Sequence, residues 1–203
     1  MHPPPGTAAD KQEKRGKSGA HIHLALIHFP VYNKNREIVA SSVTTLDVHD
    51  IARACKTYGI GGFYIVTPLA AQRLLVERIV QHWQTGYGAQ YNPTRQEALL
   101  NTRVENTLDD VVEDIASRFG EKPRTIVTDA TAFPRSVGYG KMRDVLAGPG
   151  QNLLMFGTGW GLERGVVQRA DYLLAPIQAN NGYNHLPVRA AIAIILDRLL
   201  ANR

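Results

Sequence analysis

The chain has 203 residues, of which 44% are hydrophobic, and a formal net charge of +5. This length and composition suffice for one domain with a sizeable core. A single cysteine, Cys55, excludes an intramolecular disulfide and every zinc motif built on several cysteines, and it favours a reducing, cytoplasmic location. No apolar run approaches the length that crosses a bilayer, so we expect neither a signal peptide nor a membrane partner.

The first twenty residues differ in composition from the rest. Residues 1–20 combine proline, glycine and lysine with almost no large apolar side chains, so ordering them would not be repaid by burial. We therefore expect a disordered basic tail over 1–20 and one domain over 21–203. The modest positive charge is as typical of a solvated tail as of a protein with an RNA partner.

Short apolar runs alternate with helical patterns along the remaining chain. Strands are expected at 22–29, 63–67, 124–130, 152–157 and 171–176. Helices are expected at 46–58, 68–83, 108–119, 139–147, 162–169 and 188–201, and the weaker stretch 86–107 has room for one more helix and a short strand. This alternation predicts an α/β domain in which a mostly parallel sheet carries helices on both faces.

Ligands of such sheets bind beyond the carboxyl ends of the strands. The loops that follow strands are unusually rich in glycine, asparagine, tyrosine and basic residues, and they are longer than a simple connection needs. We therefore expect the functional chemistry in the loops 30–45, 129–138, 157–161 and 176–187.

The segment FGTGWG, at 156–161, first resembles a dinucleotide fingerprint. Gly157, Gly159 and Gly161 are spaced GxGxG, however, and neither GxGxxG nor a GxxxxGK[ST] phosphate loop is formed here. A generic α/β enzyme that binds NAD or ATP is therefore disfavoured. These glycines offer close backbone approach to a flat ligand such as adenine, although glycine-rich loops are often plain turns.

Histidines and one aspartate at predicted strand ends raise the question of a metal. His21 and His23 share a strand face and His28 follows them, but neither cysteine nor an acidic cluster completes a zinc site. Ordinary strand histidines are the favoured interpretation, and no metal is expected. Asp129 ends a strand and is expected to start a turn or to bind a polar ligand group.

The first predicted helix carries Asp47, Asp50 and Arg53 after a long loop. Asp50 and Arg53 lie three residues apart, which predicts a surface ion pair, and Asp47 is suited to cap the helix. The functional alternative is that Arg53 reaches the cleft at the strand ends and contacts a phosphate or the reacting nucleophile.

Three blocks, in order, carry a resemblance to a known superfamily. DVHDIARACKTYG (47–59) is similar to a first motif in which an Asn precedes an Arg and a Phe-Gly pair, with Asp47 in place of the Asn. LLMFGTGWGL (153–162) is similar to a second motif, but it lacks the Asn-Glu of the loop. APIQANNGYNHLPVRAAIAI (175–194) is similar to a third. These are the motifs of the SPOUT superfamily, the trefoil-knotted S-adenosylmethionine-dependent RNA methyltransferases, and within it of a small SPOUT-like RNA methylase group.

The resemblance, which covers about 22–203, implies a C-terminal deep trefoil knot that folds two loops around S-adenosylmethionine, with S-adenosylhomocysteine as product. The implied cofactor residues are Phe156, Gly157, Thr158, Gly159, Trp160, Gly161, Leu174, Pro176, Ile177, Asn184, His185 and Leu186. It further implies a homodimer in which first-motif residues complete the partner's site. The acceptor is RNA, either tRNA or rRNA, at a base or a ribose.

Within this resemblance we expect Arg53 to be catalytic or to bind phosphate, and Asp47 or Asp50 to orient it. Lys34, Arg36 and Lys56 are expected to hold RNA. The altered second motif leaves one alternative open, a non-enzymatic RNA-binding or regulatory protein with a degenerate cofactor pocket.

Overall fold

The structure is a computed structural model that describes residues 21–179 and 181–201. Its strands are β1 (Ile22–Ile27), β2 (Val31–Tyr32), β3 (Ile38–Val39), β4 (Gly62–Val66), β5 (Thr102–Glu105), β6 (Arg124–Thr128), β7 (Ser136–Val137), β8 (Asn152–Gly157) and β9 (Tyr172–Leu174). Its helices are α1 (Thr45–Thr57), α2 (Ala70–Gln84), α3 (Tyr87–Tyr91), α4 (Pro93–Leu99), α5 (Leu108–Phe119), α6 (Tyr139–Ala147), α7 (Arg164–Arg169) and α8 (Val188–Leu200). The predicted tail over 1–20 lies outside the described residues.

Seven strands form one sheet in the order β5-β4-β1-β8-β6-β9-β7, and the pairings between them are parallel. Strand β8 lies between β1 and β6, so Phe156 is in register with Leu26 on one side and Thr128 on the other. The carboxyl ends of β1, β6 and β8 therefore meet at one edge of the sheet.

Side chains of β1 alternate between two apolar layers because successive residues of a strand point to opposite faces. Leu24 and Leu26 join a cluster that includes α1, α6 and α8. Ala25 and Ile27 join a second cluster that includes α5 and α7. Helices therefore cover both faces of a parallel sheet, as predicted.

Local capping explains the best-predicted helix boundaries. At α5 the Thr107 hydroxyl accepts from the Asp110 N–H, and the Asp110 carboxylate accepts from the Thr107 N–H. Gly120 ends the same helix in the left-handed conformation at φ 80°. The first helix is capped by Thr44, and Asp47 is the third-position partner in its capping box rather than the cap itself.

The structure adds short elements that were not predicted. A small antiparallel hairpin, β2 paired with β3, occupies the loop after β1, and β7 adds a two-residue edge strand. The stretch 86–107 contains two short helices, α3 and α4, before β5, where one helix was expected. Helix α7 begins at Arg164 rather than Leu162, because Leu162 forms an antiparallel bridge with Val31 of the hairpin.

Within 21–179 and 181–201, none of the helices has the length and apolar character that a bilayer crossing requires. Within the same ranges, the side chains of His, Cys, Asp and Glu do not group in threes suited to a metal ion.

Candidate functional site

A cavity of about 620 Å³ opens at the carboxyl ends of β1, β6 and β8. We call residues 157–161 the glycine loop and residues 176–187 the asparagine loop, and both border this first cavity. Of the twelve predicted cofactor residues, ten line it: Phe156, Gly157, Thr158, Gly159, Trp160, Gly161, Ile177, Asn184, His185 and Leu186. The other two do not, since Leu174 is buried within β9 and Pro176 lies outside the lining.

Backbone hydrogen bonds fix the glycine loop against the hairpin. The N–H of Trp160 donates to the carbonyl of Tyr32 at 2.8 Å, and the N–H of Tyr32 donates to the carbonyl of Gly161 at 2.9 Å. The N–H of Arg164 donates to the Tyr32 hydroxyl at 3.2 Å. The unpredicted hairpin is therefore part of the site, because it holds one wall of the cavity.

Two glycines of this loop are required by the backbone. Gly159 has φ 58°, and a Cβ placed there would lie 2.8 Å from the carbonyl oxygen of Tyr32. Gly161 has φ 97°, and its Cβ would lie 3.3 Å from the Asp129 carboxylate. Larger residues would be strained at both positions, so the close approach of backbone to the cavity depends on glycine.

A chain of side-chain hydrogen bonds links the end of β1 to the glycine loop. The Thr158 hydroxyl donates to the carbonyl of Ile27 at 3.0 Å, which uses its one hydrogen. The Ser41 hydroxyl must then be the donor in its short hydrogen bond with Thr158. Ser41 Oγ is left to accept from Nδ1 of His28 at 2.9 Å. Because each hydroxyl has one hydrogen to donate, the hydrogen of neutral His28 must be on Nδ1.

This assignment leaves Nε2 of His28 as a buried acceptor, and no partner for it exists among the described residues. Burial lowers the pKa of His28 to about 4, against an opposing effect of the nearby Asp47 carboxylate. The imidazole is therefore neutral at physiological pH, and the hydrogen-bond chain is built on its neutral form.

The asparagine loop is attached differently. Nδ2 of Asn184 donates to the carbonyl of Ala130 at 2.8 Å, which connects this loop to the loop after β6. In that second loop, Oδ1 of Asp129 accepts from the N–H of Thr131 at 2.7 Å. Asp129 therefore starts a turn, as expected, and it also lines the cavity, whereas its binding of a polar ligand group stays a prediction.

The acidic residues of α1 face a cation that sequence reasoning missed. Arg189, in the first turn of α8, places Nε 3.7 Å from Asp47 Oδ1 and Nη1 3.3 Å from Asp50 Oδ2. The expected Asp50 to Arg53 pair is thus replaced by a pair with Arg189. Asp47 is 8% exposed and lines the cavity, whereas Arg53 is exposed on α1 and is not among the described lining residues.

The three basic residues predicted to hold RNA lie in two places. Arg36, in the hairpin turn, lines the cavity and stacks its guanidinium 4.7 Å from the centre of the Tyr32 ring. Lys34 is exposed in the same turn. Lys56 lies on α1, where its ammonium pairs with Glu97 at 2.7 Å.

Residues 21–201 match the model of a family described as SAM-dependent RNA methyltransferase. The chain belongs to this family. The match confirms the predicted resemblance, the enzyme class and S-adenosylmethionine as the cofactor, and it favours a methyltransferase over a non-enzymatic binding protein.

Individual relatives differ in length. The chain is 40% identical over 181 residues to an uncharacterised protein of Aquifex aeolicus, covering 89% of this chain and 88% of that one. It is 41% identical over 192 residues to a tRNA (guanine-N(1)-)-methyltransferase of Oleidesulfovibrio alaskensis, covering 95% of this chain and 45% of the relative. The chain therefore spans less than half the length of this named relative.

Solved structures confirm the fold. A probable methyltransferase from Bordetella pertussis has a TM-score of 0.62 at 16% identity, with 92% of this chain and 96% of that chain covered. The SpoU methyltransferase AviRb from Streptomyces viridochromogenes in complex with AdoMet has a TM-score of 0.55 at 15% identity, covering 88% and 56%. The TrmH/SpoU tRNA modifying enzyme of A. aeolicus has a TM-score of 0.54 at 15% identity, covering 96% and 83%.

Proposed function

We propose that this chain methylates tRNA, with the first cavity as the cofactor site and the active unit a cytoplasmic homodimer built on a trefoil knot. The observation that carries the proposal is that the two predicted loops, although separated by β9, line one cavity. Support for tRNA comes from the relative described as a tRNA (guanine-N(1)-)-methyltransferase. That name is said of a protein more than twice as long, so it does not assign the acceptor atom to this chain.

The residues of the first cavity fit S-adenosylmethionine. Its volume falls within the range of about 300 to 1,000 Å³ that is typical of small-molecule sites. Backbone groups of Gly157, Gly159 and Gly161 lie at the cavity surface without side chains, which suits a planar adenine. Ile177 and Leu186 add apolar contacts from the asparagine loop.

When bound, the cofactor would supply an electrophilic methyl group on a sulfonium sulfur: the acceptor atom of RNA would bond to the methyl carbon as the carbon–sulfur bond breaks, leaving S-adenosylhomocysteine, and the acceptor would lose a proton. The protein's contribution is to hold the two reactants in line and to exclude water. Asp47 lies in the cavity wall, and Arg189 bridges it to Asp50, so these three residues fix α1 against α8 at the edge of the site.

The exposed position of Arg53 supports the proposal of a homodimer. Arg53 is exposed on α1 and is not among the residues that line the first cavity of its own subunit. In a dimer that packs α1 near the partner's cavity, Arg53 is available to contact a phosphate or the reacting nucleophile there. The expected consequence of Arg53→Ala is intact cofactor binding with methyl transfer reduced about a hundredfold or more, the scale of one lost electrostatic contact in a transition state.

The first experiment is calorimetric titration with S-adenosylmethionine, S-adenosylhomocysteine, NAD and ATP, followed by methyl transfer from labelled cofactor to bulk tRNA and to rRNA. Binding of the first two ligands alone, with label entering tRNA, is the expected result. Digestion of the labelled RNA to nucleosides then distinguishes a base from a ribose product. Cofactor binding without label in either RNA would contradict the proposed activity.

Subunit mixing tests the shared site. Arg53→Ala retains the cofactor cavity, and Gly159→Ala retains Arg53 but disturbs that cavity. If the site is shared, a mixed dimer of the two inactive variants regains part of the wild-type activity, because one of its two sites is whole. Light scattering that shows a monomer, or mixing without any recovery, would argue against the dimer.

A further inference from the structure

A second cavity, of about 760 Å³, lies beside the first. Arg36, Asp129, Thr131 and Trp160 line both, so the two cavities meet along these side chains. The second cavity continues from there over the hairpin and α7, and its further lining residues are Tyr32, Phe133, Pro134, Arg135, Leu162, Arg164, Val167, Gln168 and Leu173. The cofactor residues account for the first cavity and leave the second without an assigned ligand.

Three arginines border the second cavity, and their environments differ. The guanidinium of Arg135 donates to the carbonyls of Val167, Gln168 and Ala170 at 2.6, 3.1 and 2.9 Å, so it belongs to the frame of α7. Arg164 is exposed, and within the described parts of the chain its guanidinium makes neither a hydrogen bond nor an ion pair. An uncommitted arginine at the rim of a cavity is suited to a phosphate.

Arg36 is a second cation of the rim. Its guanidinium carbon lies 4.7 Å from the centre of the Tyr32 ring, and within the described residues the guanidinium makes neither a hydrogen bond nor an ion pair. The residue has φ 65°, a left-handed conformation that is uncommon outside glycine and costs about 1 kcal/mol or more. Strained backbone concentrates at ligand sites, where the surrounding structure holds it in place.

Trp160 supplies a flat surface between the two cavities. Its side chain is 62% exposed, although an indole is among the groups that gain most from burial. Phe133 is half-buried on the far side of the same cavity. Aromatic faces next to arginines are the combination that binds unpaired RNA, in which bases stack on rings and phosphates pair with guanidinium groups.

We infer that the second cavity is the subsite for the acceptor nucleotide: one unpaired nucleotide of RNA lies with its base against Trp160 and its phosphate on Arg36 and Arg164. This inference rests on the proposed function, because it places the acceptor beside the cofactor cavity. A duplex is too wide for a cavity of this size, so the nucleotide must be unpaired when it binds. Side chains shared by the two cavities, among them Asp129 and Trp160, would then lie between the nucleotide and the cofactor.

Trp160 itself provides the readout, because the chain contains two tryptophans. In a Trp83→Phe background, the fluorescence lifetime of Trp160 reports stacking directly. The variant is first saturated with S-adenosylhomocysteine, so that the cofactor cavity is occupied, and then titrated with each of the four ribonucleoside 5′-monophosphates. A saturable decrease in lifetime with at least one nucleotide is the expected result.

Charge variants locate the phosphate. Arg164→Ala and Arg36→Ala should each weaken the nucleotide about tenfold, the loss of one charge-assisted hydrogen bond, and Arg164→Lys should recover part of it. Arg78→Ala is the matched control, since Arg78 is an exposed arginine of α2, which packs beside β5 at the other edge of the sheet. The affinity for S-adenosylhomocysteine should be unchanged in Arg164→Ala.

The cofactor site and the nucleotide subsite can be refuted independently. Absence of S-adenosylhomocysteine binding in calorimetry contradicts the cofactor site, whereas the lifetime titration, run in that case without S-adenosylhomocysteine, still tests the second cavity. The subsite is wrong if no nucleotide changes the lifetime, if nucleotides compete with S-adenosylhomocysteine, or if Arg164→Ala binds nucleotides as tightly as Arg78→Ala. A response to an acidic peptide with none to nucleotides would likewise overturn it.

Discussion

The two loops that enclose the first cavity are held in opposite ways. The glycine loop is tied to the hairpin by reciprocal backbone hydrogen bonds with Tyr32 and to the end of β1 through Thr158. The asparagine loop, over its described residues, is tied to a neighbouring loop by the side chain of Asn184 alone. The glycine loop therefore has its structure before a ligand binds. The asparagine loop depends on few contacts, so contacts with a ligand should stabilise it more.

The largest expected effect comes from breaking the rigid wall. In Gly159→Ala the new methyl group would lie 2.8 Å from the Tyr32 carbonyl, at a φ that alanine disfavours. We expect a hundredfold or greater loss of S-adenosylhomocysteine affinity and a stability loss of about 1 to 3 kcal/mol. Calorimetric titration and chemical denaturation measure the two effects.

Gly140→Ala is the matched control for this variant. Gly140 lies in α6 and has an ordinary φ. A Cβ there would lie more than 4 Å from any heavy atom other than those of its two chain neighbours and the backbone of its own helix. Alanine there should leave affinity unchanged and raise stability by at most about 1 kcal/mol. If both variants bound the cofactor equally well, the idea of a pre-built glycine wall would be wrong.

The same wall should weaken in acid. His28 has a pKa of about 4 in the folded chain and about 6.5 when unfolded, so the unfolded chain binds more protons between these values. Stability therefore falls as pH decreases from 6.5 towards 4, by about 1 to 2 kcal/mol at pH 5 from this residue. His23 and His49 also have lowered pKa values because of burial, so they add to the same trend.

His28→Asn separates this contribution from the others. The asparagine amide keeps a donor near the position of Nδ1 and cannot titrate, so the difference in unfolding free energy between pH 7 and pH 5 should shrink. Ser41→Ala is the complementary variant, because it removes the acceptor of the His28 hydrogen bond but retains the imidazole. An unchanged pH dependence in His28→Asn would show that the buried imidazole does not drive the acid sensitivity.

The sequence predicted the sheet from local patterns, and the family resemblance predicted ten residues that line the first cavity. Apolar runs such as 152–157 have few alternatives to a buried strand, and the helix predicted over 108–119 has these bounds in the structure, where Thr107 and Gly120 cap it. Glycine spacing and the resemblance then located the loop at 157–161. These signals lie within a few residues of the features they predict.

The missed parts depend on contacts between distant segments. The hairpin has two-residue strands, which are too short to show alternation, and it is stabilised by pairing with residues 160–162. In the sequence, Arg189 is an ordinary basic residue of an apolar helix. Its ion pairs with Asp47 and Asp50 form only because α8 packs beside α1. The role of His28 depends on Ser41 and Thr158, which are 13 and 130 residues away, so its strand position alone gave no signal.

Weakening the other wall should have a smaller effect. Asn184→Ala removes the hydrogen bond to the Ala130 carbonyl, worth about 1 kcal/mol, so we expect about a fivefold loss of S-adenosylhomocysteine affinity. The global unfolding free energy should fall by no more than about 1 kcal/mol, the contribution of this one hydrogen bond. Gln178→Ala, an exposed change in the same loop, is the control. Equal affinities of the two variants would show that Asn184 does not position this wall.

The smallest expected effect is at Lys56, and it separates the two groups of basic residues predicted to hold RNA. Its ammonium is paired with Glu97 on the surface, so Lys56→Ala should cost at most about 1 kcal/mol of stability. Because a paired lysine offers less net charge to phosphate, its loss should weaken tRNA binding less than Lys34→Ala, which acts at the exposed hairpin turn beside Arg36. Binding measured over a series of salt concentrations decides between them. If Lys56→Ala weakened tRNA binding more than Lys34→Ala, the RNA path would run along α1 rather than across the hairpin and the second cavity.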